Sequence, residues 1–242
     1  MPVIAHLSDT HLDGGHQRLR RLHRVVGETA SAGADALIVT GDLADHGATA
    51  EYEQFASAMP TDRPWLATVG NHDRRESARA YLHPGSRGPL DTVLDVAGLR
   101  VIGLDSLVEG AEEGRLDPAS LEFAARALDG SPGPAVIALH HPPVAVGHDL
   151  MDRLGLRDPE GLAGLARHPR LAAILTGHVH TSLAARFAGA PLLGAGGVAS
   201  TMRLGSKTDP IAAAEAVPIF AVHVFDDAGW VRTIFHPLVP AS

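Results

Sequence analysis

The chain has no cysteine, which excludes disulfides and thiolate metal sites together. Any metal centre must therefore draw on His, Asp, Glu or Asn. Aromatic residues are scarce at 4%, so the core has to be built from Leu, Val, Ile and Ala. No apolar run approaches the roughly 20 residues that a membrane-spanning helix needs. The N-terminus lacks the basic and apolar regions of a secretory signal, so a cytoplasmic protein without membrane association is the expectation. Positive charge is also in deficit: 20 Lys and Arg stand against 28 Asp and Glu, a net charge of −8. That balance argues against attraction to a nucleic acid polymer or an anionic membrane. An anionic small molecule would need a local source of positive charge, which a metal centre can supply.

What the chain does have is 15 histidines in 242 residues. Its 45% hydrophobic and 20% charged residues are an ordinary globular balance. No internal repeat, low-complexity tract or linker interrupts it, and a single α/β domain over residues 1–242 is expected.

Strand-like and helix-like segments alternate. Residues 3–7, 36–40, 65–69, 135–139 and 171–175 read as short buried strands. A helical stretch with Leu19, Leu22, Val25, Val26 and Ala30 on one face follows the first strand and stops near Gly33. Residues 49–59 form a second helix, with Tyr52, Phe55 and Met59 inward. Residues 93–96 and 100–104 look like a hairpin turned at Gly98. Asp117-Pro118 and Asp158-Pro159 each open a helix, with Asp as cap and Pro at the first position; the second of these closes at His168-Pro169. Residues 219–225 and 230–235 are β-like. The stretch 200–216 is the least patterned, and its Arg203 and Lys207 are candidates for a substrate lid.

Five of these strands each end in a cluster of metal-ligand types: Asp9-Thr10-His11, Gly41-Asp42, Gly70-Asn71-His72-Asp73, His140-His141 and Gly177-His178-Val179-His180. In open α/β sheets, sites form beyond the carboxyl ends of strands, so parallel strands would bring all five clusters to one edge. In an extended segment, residues two apart share a face. Asp9 and His11 can then reach one point, as can His178 and His180. Gly41, Gly70 and Gly177 permit sharp turns and close approach. The donors are nitrogen and oxygen, a set that suits Mn, Fe, Zn or Co rather than Cu(I). Each cluster alone reads equally as an ordinary polar turn; five in order at strand ends do not.

The ordered blocks D-x-H, G-D, G-N-H-D, H and G-H-x-H resemble the calcineurin-like metallophosphoesterase superfamily over roughly residues 3–182. Within it, the G-N-H-D form, His140-His141-Pro142-Pro143 and the short chain look most like class III cyclic nucleotide phosphodiesterases and the related bacterial glycerophosphodiesterases. The resemblance implies a four-layer α-β-β-α sandwich of two mixed β-sheets. It also implies two metal ions, the first held by Asp9, His11, Asp42 and His180, the second by Asp42, Asn71, His140 and His178. Asp42 would bridge, which its two oxygens allow. Strand parity does not choose between His140 and His141; the family pattern points to His140. A hydroxide bridging metals roughly 3.5–4 Å apart would attack phosphorus, with Asn71 and His72 against the substrate. His72 matches the catalytic histidine that lies beside the metals, Asp45 is a candidate to orient it, and His141 is a candidate substrate contact.

Phosphodiester hydrolysis is the expected function, with a 3′,5′-cyclic nucleotide favoured, a glycerophosphodiester as the alternative and a homodimer as a possible assembly. A protein phosphatase fits less well, because that branch carries G-D-x-x-D-R-G and G-N-H-E, whose arginine and glutamate are missing here. A non-catalytic scaffold of the same fold is the reading from a different class, disfavoured by the complete ligand set and His72. His16, His23, His46, His83, His148, His168, His223 and His236 match no block and are expected at the surface or satisfied in the core, and His6 packed within the first strand. Arg74 and Arg75 follow the catalytic loop and are expected to be mainly solvated.

Overall fold

A computed structural model describes residues 1–204, 212–226 and 230–238. Lys207 and part of the 200–216 stretch lie outside the described residues. The chain runs β1 (Val3–Leu7), α1 (His16–Ser31), β2 (Ala36–Thr40), α2 (Thr49–Ala58), β3 (Trp65–Thr68), α3 (Arg75–Leu82), β4 (Thr92–Val96) and β5 (Leu99–Gly103). It continues through β6 (Gly114–Arg115), α4 (Pro118–Asp129), β7 (Ala135–Ala138), β8 (Leu156–Arg157), α5 (Glu160–Leu165), β9 (Leu171–Thr176), β10 (Leu183–Phe187) and β11 (Ala190–Gly194). The short β12 (Thr201–Met202) and β13 (Ala212–Ala213) precede β14 (Ile219–Phe225) and β15 (Val231–Pro237).

Two mixed sheets result, ordered β15-β14-β1-β2-β3 and β10-β11-β9-β7-β5-β4. The first has β1, β2 and β3 parallel; the second has β5, β7, β9 and β11 parallel. The period-two alternation of β residues sorts the apolar side chains into three layers. Ala5, Leu7, Leu37, Val39 and Ala67 point outward against Leu22, Val25, Tyr52, Phe55 and Ala78 of α1 to α3. Ile4, Ile38 and Leu66 meet Val101, Val136 and Leu175 between the sheets. Ile102, Ile137 and Ile174 cover α4 and α5 through Ala124, Leu128 and Leu162. This is the expected four-layer sandwich.

The local predictions hold where their chemistry is specific. The β4–β5 turn uses Ala97 and Gly98, both at positive φ (49° and 84°), the twist a two-residue hairpin requires. Asp117 caps α4 by accepting from Ala119 N at 2.8 Å. Asp158 does not cap α5: it sits at φ 50° with its carboxylate paired to Arg115 at 2.5 Å, and the helix is only six residues long. The α3 helix begins just past the G-N-H-D block, near Arg74, where those polar residues could cap one although no side chain does so, whereas the β10–β11 hairpin was not anticipated. The latter turns on Ala188 and Gly189, again at positive φ.

A polar chain crosses the first sheet. His6 Nε2 bonds Thr40 Oγ1 (2.9 Å), His6 Nδ1 bonds His223 Nε2 (3.1 Å) and His223 Nδ1 bonds Thr233 Oγ1 (2.8 Å). Both rings are fully buried. Burial, and then the neighbouring His223, lower His6 well below its usual value, while burial alone takes His223 down to about 3. The folded protein therefore refuses protons that the unfolded chain takes up below about pH 6.5, and this part of its stability is lost as pH falls through that range. With metal chelated, the wild type should lose more unfolding free energy between pH 7 and pH 5 than His223→Gln, by about 1–2 kcal/mol. Urea titrations at the two pH values test this; equal losses would refute it.

Candidate metal centre

The carboxyl ends of β1, β2 and β3 face those of β7 and β9 across the sandwich, so the five clusters meet from two sheets rather than along one. Pairing continues past the strands: Asp9 N donates to Gly41 O (3.2 Å), His11 N to Asp42 O (2.9 Å) and Leu12 N to Leu43 O (3.0 Å). Within these loops Asp9, His11, Asp42, His178 and His180 all take left-handed backbone, φ 56°, 41°, 49°, 69° and 49°. This corrects the extended-face argument. Asp9 and His11 do converge, but through turns, and His178 and His180 part company into different groups. A left-handed residue costs roughly 1–2 kcal/mol, so the loops hold strain that sites of function commonly store.

Gly41 is the one cluster glycine that needs its conformational freedom, at φ 80°, and a Cβ there would lie 2.5 Å from His140 Nδ1. Gly70 and Gly177 are not at positive φ; each is required for close approach. A Cβ on Gly177 would meet Ser8 Oγ at 1.7 Å and Thr40 O at 2.7 Å.

Two groups of donor atoms form. In the first, Asp9, His11, Asp42 and His180 bring ligand atoms within 4.8 Å of one another. His11 Nε2 lies 3.1 Å from His180 Nε2 and 3.4 Å from Asp42 Oδ2, and His180 Nε2 lies 3.4 Å from Asp9 Oδ1. In the second, His140 Nε2 is 3.2 Å from Asn71 Oδ1 and 3.3 Å from Asp42 Oδ2, and His178 Nδ1 is 3.1 Å from Asn71 Oδ1. Asp42 Oδ2 thus faces both groups. Its Oδ1 accepts from His72 N (3.0 Å), so a single oxygen is shared rather than one per group.

The spacing and the tautomers both fit metal ions. Bonds of about 2.0–2.2 Å to nitrogen or oxygen separate neighbouring ligand atoms by roughly 3.0–3.5 Å, the range found. His140 Nδ1 donates to Thr40 O (2.7 Å) and His11 Nδ1 to Asp45 Oδ1 (2.9 Å). In each neutral ring Nε2 then carries a lone pair, aimed at other acceptors. Asp9 Oδ2 is buried without a hydrogen-bond partner among the described residues. Such convergence of acceptors calls for a cation. Protons meet part of that demand: burial opposes the charge on His140, but Asp42 outweighs it and carries the ring up to about 9. Burial takes His178 down to about 3 and lowers His180, which keeps both rings neutral and able to ligate.

Surrounding groups fix the rings. Asp45 serves His11 with its carboxylate and His72 with its backbone, since His72 Nδ1 donates to Asp45 O (3.0 Å). The hydrogen bond from His11, followed by that from Arg18, holds the Asp45 carboxyl well below the usual range; Arg18 Nη1 reaches Oδ2 at 2.8 Å. Ser200 Oγ bonds His180 Nδ1 (2.8 Å). Asp73 accepts from Gly70 N, Leu43 N, Ala44 N and Tyr52 OH at 2.9–3.1 Å, stapling two of the ligand loops together. Burial and the Asp42 charge push its carboxyl up to about 6.

Asn71, His72, Asp45, His46 and Arg74 line a cleft of about 310 Å³ with Gly110, Ala111 and Glu112. His141 is not in it. That ring is fully buried, with Nδ1 on Ser106 Oγ (2.8 Å) and Nε2 on Glu112 O (3.3 Å). Arg74 is mostly exposed, whereas Arg75 is committed to the buried Asp105 (2.6 Å). Sequence reasoning missed Arg18, Ser200, Ser106 and Glu112, which sit in no block and act only through the fold. Asp73 stood inside a block, and its spacing after Gly70 was the available signal.

The family model for calcineurin-like phosphoesterases matches residues 2–182. A cAMP/cGMP dual specificity phosphodiesterase of Mycobacterium tuberculosis is 34% identical over 98% of this chain and 79% of that protein. A probable glycerophosphodiester phosphodiesterase of Arcobacter nitrofigilis is 32% identical over 60% of this chain and 56% of that one. A dimetal phosphatase from Danio rerio shares the fold, with TM-score 0.68 at 12% identity and 92% coverage of both chains. The chain belongs to the calcineurin-like phosphoesterase family. Within that family it is a phosphoric diester hydrolase. Among the described residues, no helix is long and apolar enough to cross a membrane.

A Cβ at position 70 would lie 2.3 Å from Asp42 Oδ1 and 2.7 Å from His140 Cδ2. Gly70→Ala should therefore shift the shared carboxylate, cut metal content at least several-fold and cost about 1–3 kcal/mol of stability. Metal analysis after gel filtration, with circular dichroism as a fold control, measures both; a folded variant with wild-type metal content would contradict the placement.

Proposed function

We propose that this chain hydrolyses a phosphodiester at a binuclear metal centre, with a 3′,5′-cyclic nucleotide as favoured substrate. The observation that carries the reading is Asp42 Oδ2, one oxygen between His11 Nε2 at 3.4 Å and His140 Nε2 at 3.3 Å. One ion belongs with Asp9, His11, Asp42 and His180, the other with Asp42, Asn71, His140 and His178. When bound, two such ions neutralise phosphate charge and bring the pKa of an attacking water towards neutrality. Mn, Fe, Zn and Co all match the donors.

The remaining work falls to the chain itself. His72 commits Nδ1 to Asp45 O, which leaves Nε2 as the ring atom available to a phosphoryl oxygen or to the leaving oxygen. Asp45 orients His72 through its carbonyl rather than its carboxylate, which stands 3.8 Å from Nδ1. Asn71 places its amide oxygen beside His140 and His178, and Arg74 and His46 stand in the cleft lining, each beside an acidic partner. At about 310 Å³ the cleft is at the small end of ligand sites, roughly 300–1,000 Å³, with room for a small phosphodiester. Similarity to the cAMP/cGMP phosphodiesterase extends over nearly the whole chain, which favours the cyclic nucleotide over the glycerophosphodiester.

A substrate panel of 3′,5′- and 2′,3′-cyclic nucleotides, glycerophosphodiesters and a phosphomonoester, compared by kcat/KM, should rank a 3′,5′-cyclic nucleotide first. A higher value for a glycerophosphodiester would replace that assignment, and no turnover with any of Mn, Fe, Zn or Co would leave only a scaffold. His72→Ala should keep its metals while kcat falls about 10²–10⁴-fold. Loss of metal in proportion to activity would assign His72 to coordination instead.

A further inference from the structure

The amide of Asn71 has two ends of nearly the same shape, and only the oxygen end can serve a cation. Something outside the ligand set has to choose. Asn71 Oδ1 lies 3.2 Å from His140 Nε2 and 3.1 Å from His178 Nδ1, while Nδ2 donates to Glu112 Oε2 at 3.0 Å. A carboxylate only accepts. Turning the amide over would oppose Oδ1 to Oε2 and point the NH₂ group at the ligand atoms.

Glu112 is itself placed by the second histidine of the His140-His141 pair. His141 Nε2 lies 3.3 Å from Glu112 O, and its Nδ1 bonds Ser106 Oγ at 2.8 Å, so the ring ties together both ends of the segment after β5. Gly114 closes over the same ring, where a Cβ would lie 2.2 Å from Nδ1. His141 packs beside His140 and His178, with ligand-type atoms within 4.8 Å. Both its nitrogens are nevertheless committed to Ser106 Oγ and Glu112 O, whereas His140 Nε2 faces Asn71 and Asp42. A carboxylate lining a cleft for an anion is electrostatically unfavourable towards that anion, and the Asn71 contact gives it a compensating function.

We propose that Glu112 is a positioning residue that locks the Asn71 amide with its oxygen towards His140 and His178, and so sets cation affinity at that group. The inference rests on the two-ion reading above. Supporting groups of this kind typically change metal affinity about 10–100-fold when removed.

The test is calorimetric titration of metal-free protein with Mn²⁺, for wild type, Glu112→Ala, Glu112→Gln and the neighbouring control Glu113→Ala. Two Mn²⁺ ions are expected for the wild type. In Glu112→Ala the constant for one ion should weaken by about 10–100-fold, with the other constant and the metal-free Tm unchanged. Glu112→Gln, which retains an acceptor oxygen, should recover most of the affinity, and Glu113→Ala should match the wild type. Two ions bound by Glu112→Ala with wild-type constants would overturn this inference alone. An equal weakening in Glu113→Ala would also overturn it, by showing a general charge effect. Fewer than two ions on the wild type would overturn both this inference and the reading it rests on.

Discussion

Lone pairs crowded into a buried space repel one another unless positive charge lies among them, and that constraint governs this molecule. Loops from two sheets aim nitrogen and oxygen atoms at one another across 3.1–3.4 Å. Asp42 outweighs burial at His140 and raises that ring, so a proton there is one way to supply positive charge. Metal ions held by the same groups would meet that need in place of such protons, which would couple occupancy to pH.

The outward-facing atoms of the rings matter as much as the inward ones. His11 is fixed by Asp45, His140 by Thr40 O and His180 by Ser200. Asp45 and Thr40 O can only accept, so they place hydrogen on Nδ1 of His11 and His140 and would leave Nε2 to ligate, whereas the Ser200 hydroxyl orients the His180 ring without fixing its tautomer. Asp45 in turn depends on Arg18 of α1, so a surface helix contributes to the electrostatics of a buried ring. The close approach of the loops sets the other condition. Where Gly41, Gly70 and Gly177 stand, any side chain would collide with His140, Asp42 or the β2 backbone.

Much of this was legible in the residues because the ligand blocks follow buried apolar runs directly, so strand ends and chemistry share one signal. The two hairpin turns show the contrast. Gly98 stood between clear alternating runs, whereas Leu183–Phe187 and Ala190–Gly194 carry Arg186 and Pro191, which dilute the strand pattern. The short α3 lacks a side-chain cap, leaving little to mark its start. The pairing of His178 with His180 failed for a different reason: periodicity assumes extended backbone, and both residues are left-handed. Nor does any local pattern explain why His141 follows His140. Its partners, Ser106 and Glu112, are about 30 positions away and become neighbours only when β5 and β7 pair.

Thr40 O accepts from Ser8 Oγ within its own sheet and from His140 Nδ1 at the end of the other. Face-to-face sheets have an inexpensive mode of motion, a sliding shear along the apolar layer between them, because dispersion contacts there are not directional. A carbonyl that answers to both sheets gives that motion a directional restoring force, located at the rim where ligand atoms meet. The sandwich should therefore be softest at the end of the strands remote from Thr40, with its mechanical reference point at the centre of its chemistry.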